Sequence, residues 1–329
     1  MTTPKPGPLA EGLLLIDKPA AWTSHDVVAR VRRILHTKKV GHAGTLDPMA
    51  TGLLVVGVGR ATKLLTYLVG HDKAYDATIR LGEATITDDA DGDVTARRDA
   101  SGVSGEDITG GIAGLSGGIL QRPSSVSAIK VGGERAYARV RGGEDVTLDA
   151  RPVTVRWEQV GDPRSGDGVA DLDVTVCVSS GTYVRALARD LGEALGVGGH
   201  LIALRRTRVG PFMVDGALSI EDLEGRVERG EPLPVQPLGV AAAAALATVS
   251  VTASEAIDLG YGKAIPGRAP TRAVEGAAAL SSTAASTSAS GHVIAMASDG
   301  TAVAILNPRG DALWPVVVFE PSGMRRAGE

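Results

Sequence analysis

The chain has 329 residues, of which 43% are apolar and only 3% aromatic, and a formal charge of −4 at pH 7. This length favours two domains, or one large domain with an appendage, over a single core. The acidic balance excludes an indiscriminate polyanion binder but not a local basic face, and a single cysteine, Cys177, excludes an internal disulfide framework and a cysteine-based zinc site.

The opening stretch MTTPKPGPLAEG lacks the apolar core of a signal peptide. Nor does any run reach the roughly 18 apolar residues of a membrane helix. Both features point to the cytoplasm and to no membrane partner. GLLLIDKP, residues 12–19, is an apolar run ending in a turn and reads as a buried strand. In TSHDVVARVRRILHTKK, Val27, Val28, Val31, Ile34 and Leu35 recur at helical spacing, and Thr23 with Asp26 fits a capping box. The other face carries Arg30, Arg32, Arg33, Lys38 and Lys39. GHAGTLDPMATG, residues 41–52, is a glycine-rich loop that holds His42 and Asp47 between this basic helix and the apolar strand GLLVVGVG. Function tends to sit in such loops.

KAYDATIRLGEAT alternates as a third strand and contains Tyr75. TDDADGD, residues 87–93, reads as an acidic turn. Placing Gly92 at the sixth position of a calcium loop puts Thr87 at the first ligand and Arg98 where a bidentate glutamate is required, so that motif fails. VADLDVTVCVSSGTYVRALARDLGEALG reads as a strand, a Ser-Ser-Gly turn and a helix, with Tyr183 and Arg185 at the helix mouth. LRRTRVG, residues 204–210, is a dense basic cluster beside a turn, suited to phosphates. After AAAAALA come GHVIAMA, TAVAIL and LWPVVVF, which define a small all-β domain beginning near residue 248. Within it, residues 276–291 are small and polar and read as a flexible insertion. Strands and helices mix without a repeating βαβ unit. The expected class is therefore α+β, with a mixed, mainly antiparallel central sheet flanked by helices.

Taken one at a time, the polar residues have ordinary readings. Asp47 is an organiser of a turn, Tyr75 a strand aromatic, and Arg185 a solvated charge. GVGRAT lacks the third glycine of a dinucleotide fingerprint, SSG is not a nucleophile elbow, and no histidine pair has metal-ligand spacing. No cofactor or metal is expected.

In order, however, LLLIDKP, KVGHAGTLDPMATGLLVVGVGRATK, DKAYDATIRLG, TDDADG, QRPSSVSAIKVGGERAYARVRGG, SSGTYVRALARDLGE and GGHLIALRRTRVGPF resemble the bacterial tRNA pseudouridine synthase B family from about residue 11 to about residue 245. The resemblance implies a pseudouridine synthase catalytic domain over 11–247 and a PUA-like RNA-binding domain over 248–321. It implies an isomerase of uridine-55 in the tRNA T-loop, working on the T-stem-loop as a monomer. Asp47 becomes the catalytic nucleophile, Tyr75 the ring that stacks on the uracil and moves a proton, and Arg185 the partner of Asp47. His42, Lys18, Leu204 and Tyr183 fall on the substrate side, with His42 helping to flip the base. Arg30, Arg33, Lys38, Lys39, Arg205 and Arg206 become contacts to the RNA backbone. The implied reaction oxidises nothing and needs no energy source, which agrees with the lack of a nucleotide, flavin or metal motif.

Overall fold

Strand Lys73–Leu81 shows how the sequence builds the sheet. Its odd-numbered residues, from Lys73 and Tyr75 to Leu81, are buried, and they lie opposite the buried Val176, Val174, Leu172 and Ala170 of the antiparallel strand Val169–Val178. On the other face Asp76 accepts from Thr175 at 2.9 Å, Thr78 donates to Asp173 at 2.7 Å, and Arg80 grips Asp171 through two bonds of 2.8 Å. One face is thus core and the other a polar cross-strand ladder, as expected of an antiparallel pair with period-two side chains.

The computed structural model describes residues 11–124, 130–131, 134–135, 148–270 and 291–319. The insertion read at 276–291 lies outside these residues up to position 290. The chain divides into two compact units. The first comprises Met1–Pro48, Gly52–His71 and Arg208–Glu329, and the second Met49–Thr51 and Asp72–Thr207.

In the first unit, strand Gly12–Lys18 is antiparallel both to Thr51–Val58 and to Gln236–Pro237, and Val40–Ala43 adds to the far end of Thr51–Val58. The basic helix forms over Ser24–Ile34 with the Thr23–Asp26 capping box made in both directions. Its apolar stripe of Val27, Val28 and Val31 packs with Leu14, Ile16, Leu54 and Val56, and with Leu223 of helix Ile220–Glu228. A C-terminal sheet of five strands runs in the order Ala247–Ser250, Val293–Met296, Ala302–Arg309, Ala312–Val318 and Ile265–Pro266. Its Ile294 and Ile305, with Phe319 just past its strand Ala312–Val318, share one buried cluster with Leu13, Leu53 and Ala241. Three of those strands, Val293–Met296, Ala302–Arg309 and Ala312–Val318, match the pieces read from the sequence, and the Asp299–Gly300 turn closes with Asp299 accepting from the Thr301 N–H at 2.9 Å. The all-β expectation is corrected by helix Ala253–Gly260, which lies between strands Ala247–Ser250 and Ile265–Pro266 and starts at a Thr252–Glu255 capping box.

In the second unit the strands run Gly199–Val209, Lys73–Leu81, Val169–Val178, Arg151–Val160, Gly117–Gln121. Helix Val184–Ala194 buries Val184, Leu187, Ala188 and Leu191, and packs against Lys73–Leu81 and against helix Gly105–Ala113. The architecture is the expected one of a mainly antiparallel sheet with flanking helices and a C-terminal β portion.

Candidate active site

Asp47 occupies a loop whose two neighbouring positions are both tethered. The Ser24 hydroxyl accepts from the Leu46 N–H at 2.9 Å and donates to the Leu46 carbonyl at 3.3 Å. The Pro48 carbonyl accepts from the Ala21 N–H at 2.9 Å and from the Lys18 ammonium at 3.1 Å. Leu46 and Ala50 are buried, whereas Asp47 itself is half-buried. The loop enters and leaves through positive-φ glycines, Gly44 at 82° and Gly52 at 96°, conformations that a side chain would strain. The carboxylate therefore stands on a backbone held from both sides, which is how a reacting group is kept in register.

Lys18 is wholly buried. Besides Pro48 it donates to the carbonyls of Pro19 at 2.8 Å and Trp22 at 2.6 Å. A charged donor is tolerated in the interior only when it is hydrogen-bonded, and here the bonds connect the end of the first strand to the Asp47 loop. His42, on strand Val40–Ala43, meets His25 edge to face, with ring centroids 5.6 Å apart. Of the cations on this unit, Arg30 is paired with Glu224 and Arg32 donates to the Val40 carbonyl at 2.7 Å. Arg33, Lys38 and Lys39 are exposed.

On the second unit, Tyr75 is 8% exposed and Leu204 7%. Arg185, at the second position of its helix, is also buried; it donates to the Thr87 carbonyl at 2.8 Å and approaches the Asp89 carboxylate at 3.3 Å. Tyr183 is the N-cap of that helix, and its side chain does not accept from the first helical N–H groups. The Gln121 amide serves instead, accepting from the Tyr183 N–H at 2.8 Å and donating to the Tyr183 carbonyl at 3.1 Å.

Lys73 shares the buried face of Tyr75. Burial, with Arg206 adding to the effect, lowers its ammonium to about 8 against the pull of Asp72. Arg206 is completely buried, which departs from its reading as a surface phosphate contact. LRRTRVG forms the end of strand Gly199–Val209 and runs into a turn at Gly210, and within the strand Leu204 and Arg206 point to one buried face and Arg205 to the other.

Asp89 is the residue the sequence reading missed. The acidic segment is indeed a turn between strands Glu83–Thr85 and Val94–Arg97. Its second aspartate, however, meets an arginine almost a hundred positions downstream.

The comparisons with known proteins first give the class. The crystal structure of a Cbf5-Nop10-Gar1 complex matches with a TM-score of 0.69 at 28% identity, covering 94% of this chain and 85% of that one. The structure of an H/ACA RNP bound to a substrate RNA containing 2′-deoxyuridine matches with a TM-score of 0.67 at 25% identity, over 98% and 92% of the two chains. The fold is that of a pseudouridine synthase.

Narrower evidence comes from sequence. Residues 32–184 match the TruB family pseudouridylate synthase N-terminal domain, and residues 185–233 the tRNA pseudouridylate synthase B C-terminal domain. The tRNA pseudouridine synthase B of Arthrobacter sp. (strain FB24) is 51% identical over 95% of this chain and 98% of its own length. That of Nocardia farcinica is 50% identical over 95% and 94%. The chain belongs to the TruB family of pseudouridylate synthases, isomerases that convert uridine to pseudouridine.

Proposed function

We propose that this chain isomerises uridine-55 in the T-loop of tRNA, with Asp47 as the nucleophile. The observation that carries the reading is the Asp47 loop, tethered at Leu46 and Pro48, in a chain about half identical over nearly its whole length to tRNA pseudouridine synthases B.

In the reaction the bond from C1′ to N1 breaks, the uracil turns, and a bond from C1′ to C5 forms. C5 gives up its proton and N1 gains one, so nothing is oxidised and no water is consumed. An ionised carboxylate attacks C1′ or C6. Arg185 serves it as countercharge, because a lone carboxylate enclosed by RNA and protein is poorly solvated and a guanidinium compensates for the lost water. Tyr75 keeps the detached base from leaving and handles a proton, and Leu204 and Tyr183 bound the base apolarly. The target base starts inside a folded loop, and extruding it costs roughly a few kcal/mol; His42 fills the vacated stack. In this assignment Lys18 acts through the backbone it holds rather than on the substrate.

The RNA backbone lies on Arg33, Lys38, Lys39 and Arg205, with Arg30 contributing when Glu224 releases it. The five-stranded C-terminal sheet is an accessory RNA-binding part of the same enzyme.

The experiment is incubation with full-length tRNA and with the T-stem-loop, digestion to nucleosides, and chromatography. Pseudouridine from both, absent when position 55 is cytidine, is the expected result. Asp47→Ala abolishes product and retains RNA binding. Product from Asp47→Ala at the normal rate overturns the mechanism; free uracil would indicate a hydrolase, and tight binding without product an RNA-binding protein.

A further inference from the structure

Helix Val184–Ala194 carries a second arginine, Arg189, one turn after Arg185, and both reach the same loop. Arg185 takes the Thr87 carbonyl and the Asp89 carboxylate, while Arg189 takes the Asp88 carboxylate at 3.2 Å. Residues four apart share one face of a helix, but adjacent residues of an extended segment point apart. Asp88 resolves the mismatch by adopting a left-handed backbone, φ 59°, a conformation Asp and Asn tolerate better than other side chains. Two consecutive carboxylates thereby meet two arginines of one helix face.

The loop has further closures. The Thr85 hydroxyl donates to the Asp89 carbonyl at 2.8 Å, the Asp91 N–H donates to the Asp89 carboxylate at 3.1 Å, and the Leu201 N–H donates to the Asp88 carbonyl at 3.1 Å. One oxygen of Asp89 is thus engaged by its own loop and the other faces Arg185. Arg189 is a hub as well as a partner: it donates to the Arg122 carbonyl at 2.7 Å and to Asp190 at 2.7 Å and 2.9 Å. It links the loop, the helix and the chain that leaves strand Gly117–Gln121. Asp88 and Asp89 are both nearly inaccessible to solvent, so this is an interior arrangement and not a solvated charge pair.

We propose that Asp88 and Arg189 form a positioning pair for the isomerisation, clamping the 85–92 loop to the helix so that Thr87 and Asp89 hold the Arg185 guanidinium in its working orientation. This rests on the reading of Arg185 as a group of the active site. Without the clamp, Arg185 keeps its charge but loses its fixed direction, and a misdirected countercharge slows the chemical step while leaving RNA binding elsewhere intact.

The test uses the full chain, single-turnover conversion of tRNA and filter binding of the same tRNA. The variants are Arg189→Gln, Asp88→Asn, which keeps the left-handed tolerance, and the two combined. Each single variant is expected to lower the single-turnover rate about tenfold with tRNA affinity within about twofold. The double variant is expected to be no slower than the worse single one, because both remove the same ion pair. Arg189→Lys restores part of the rate.

Single-turnover rates within twofold of the parent overturn the proposal. So do losses that multiply in the double variant, or a rate that falls only in step with the folded fraction. Arg185→Ala separates the two levels. If it is silent, the reading of Arg185 fails; if it is inactive while Arg189→Gln is silent, only the positioning role fails.

Discussion

Lys18→Met removes the ammonium beneath the Asp47 loop and keeps the length of the side chain. Three bonds, to the carbonyls of Pro19, Trp22 and Pro48 at 2.8, 2.6 and 3.1 Å, are lost together. At about 1.5–3 kcal/mol for each bond to a charged group, the gross loss is about 5–9 kcal/mol. Part of this is offset because the buried ammonium no longer has to be stripped of water, leaving a net destabilisation of about 3–5 kcal/mol. For a unit of this size the unfolding midpoint falls by on the order of 10 °C, read by circular dichroism. The functional consequence is separable from the structural one. Assayed well below the lowered midpoint, turnover falls about a hundredfold, the scale expected when a reacting group shifts by about 1 Å, while tRNA affinity is retained. A variant with an unchanged midpoint and near-parental turnover would show that Lys18 does not hold the loop.

Lys73 is expected to make stability rise with pH. Its ammonium titrates near 8 in the folded chain against an ordinary 10.5, so between these values the unfolded chain binds more protons and unfolding becomes harder as pH rises. The contribution is roughly 3 kcal/mol and is lost as pH falls through about 8. Urea unfolding across that window shows the rise in the parent and not in Lys73→Met; equal slopes would refute it. Replacing Arg33, Lys38 and Lys39 together with glutamine should weaken tRNA binding and flatten its salt dependence, by about 0.7–0.9 in log–log slope for each phosphate that is no longer neutralised. An unchanged slope would place the RNA elsewhere.

The elements legible in the sequence are those whose cause is local. The Thr23–Asp26 box, the alternation of Lys73–Leu81, and the strand, turn and helix around Ser179–Gly181 each lie within a few residues of their determinants, and the structure reproduces them. The family could be read in the same way, because its blocks are contiguous. Arg206 was misplaced because a run of basic residues looks like surface; the strand period, which buries every second side chain, overrides charge there. Lys18 gave no signal of burial, since nothing in LLLIDKP announces three carbonyls arriving from Pro19, Trp22 and Pro48.

The sequence by itself determined which residue types are present and which local conformations they adopt: a capped basic helix, a glycine-bounded loop around Asp47 and a helix beginning at Val184. Only the tertiary structure decided what each charge meets. Side-chain pairing over long separations depends on the packing of whole elements, and no local propensity encodes it. TDDADGD reads as a plain acidic turn in the sequence, and in the fold the first two of its four aspartates, Asp88 and Asp89, face Arg189 and Arg185 on one helix.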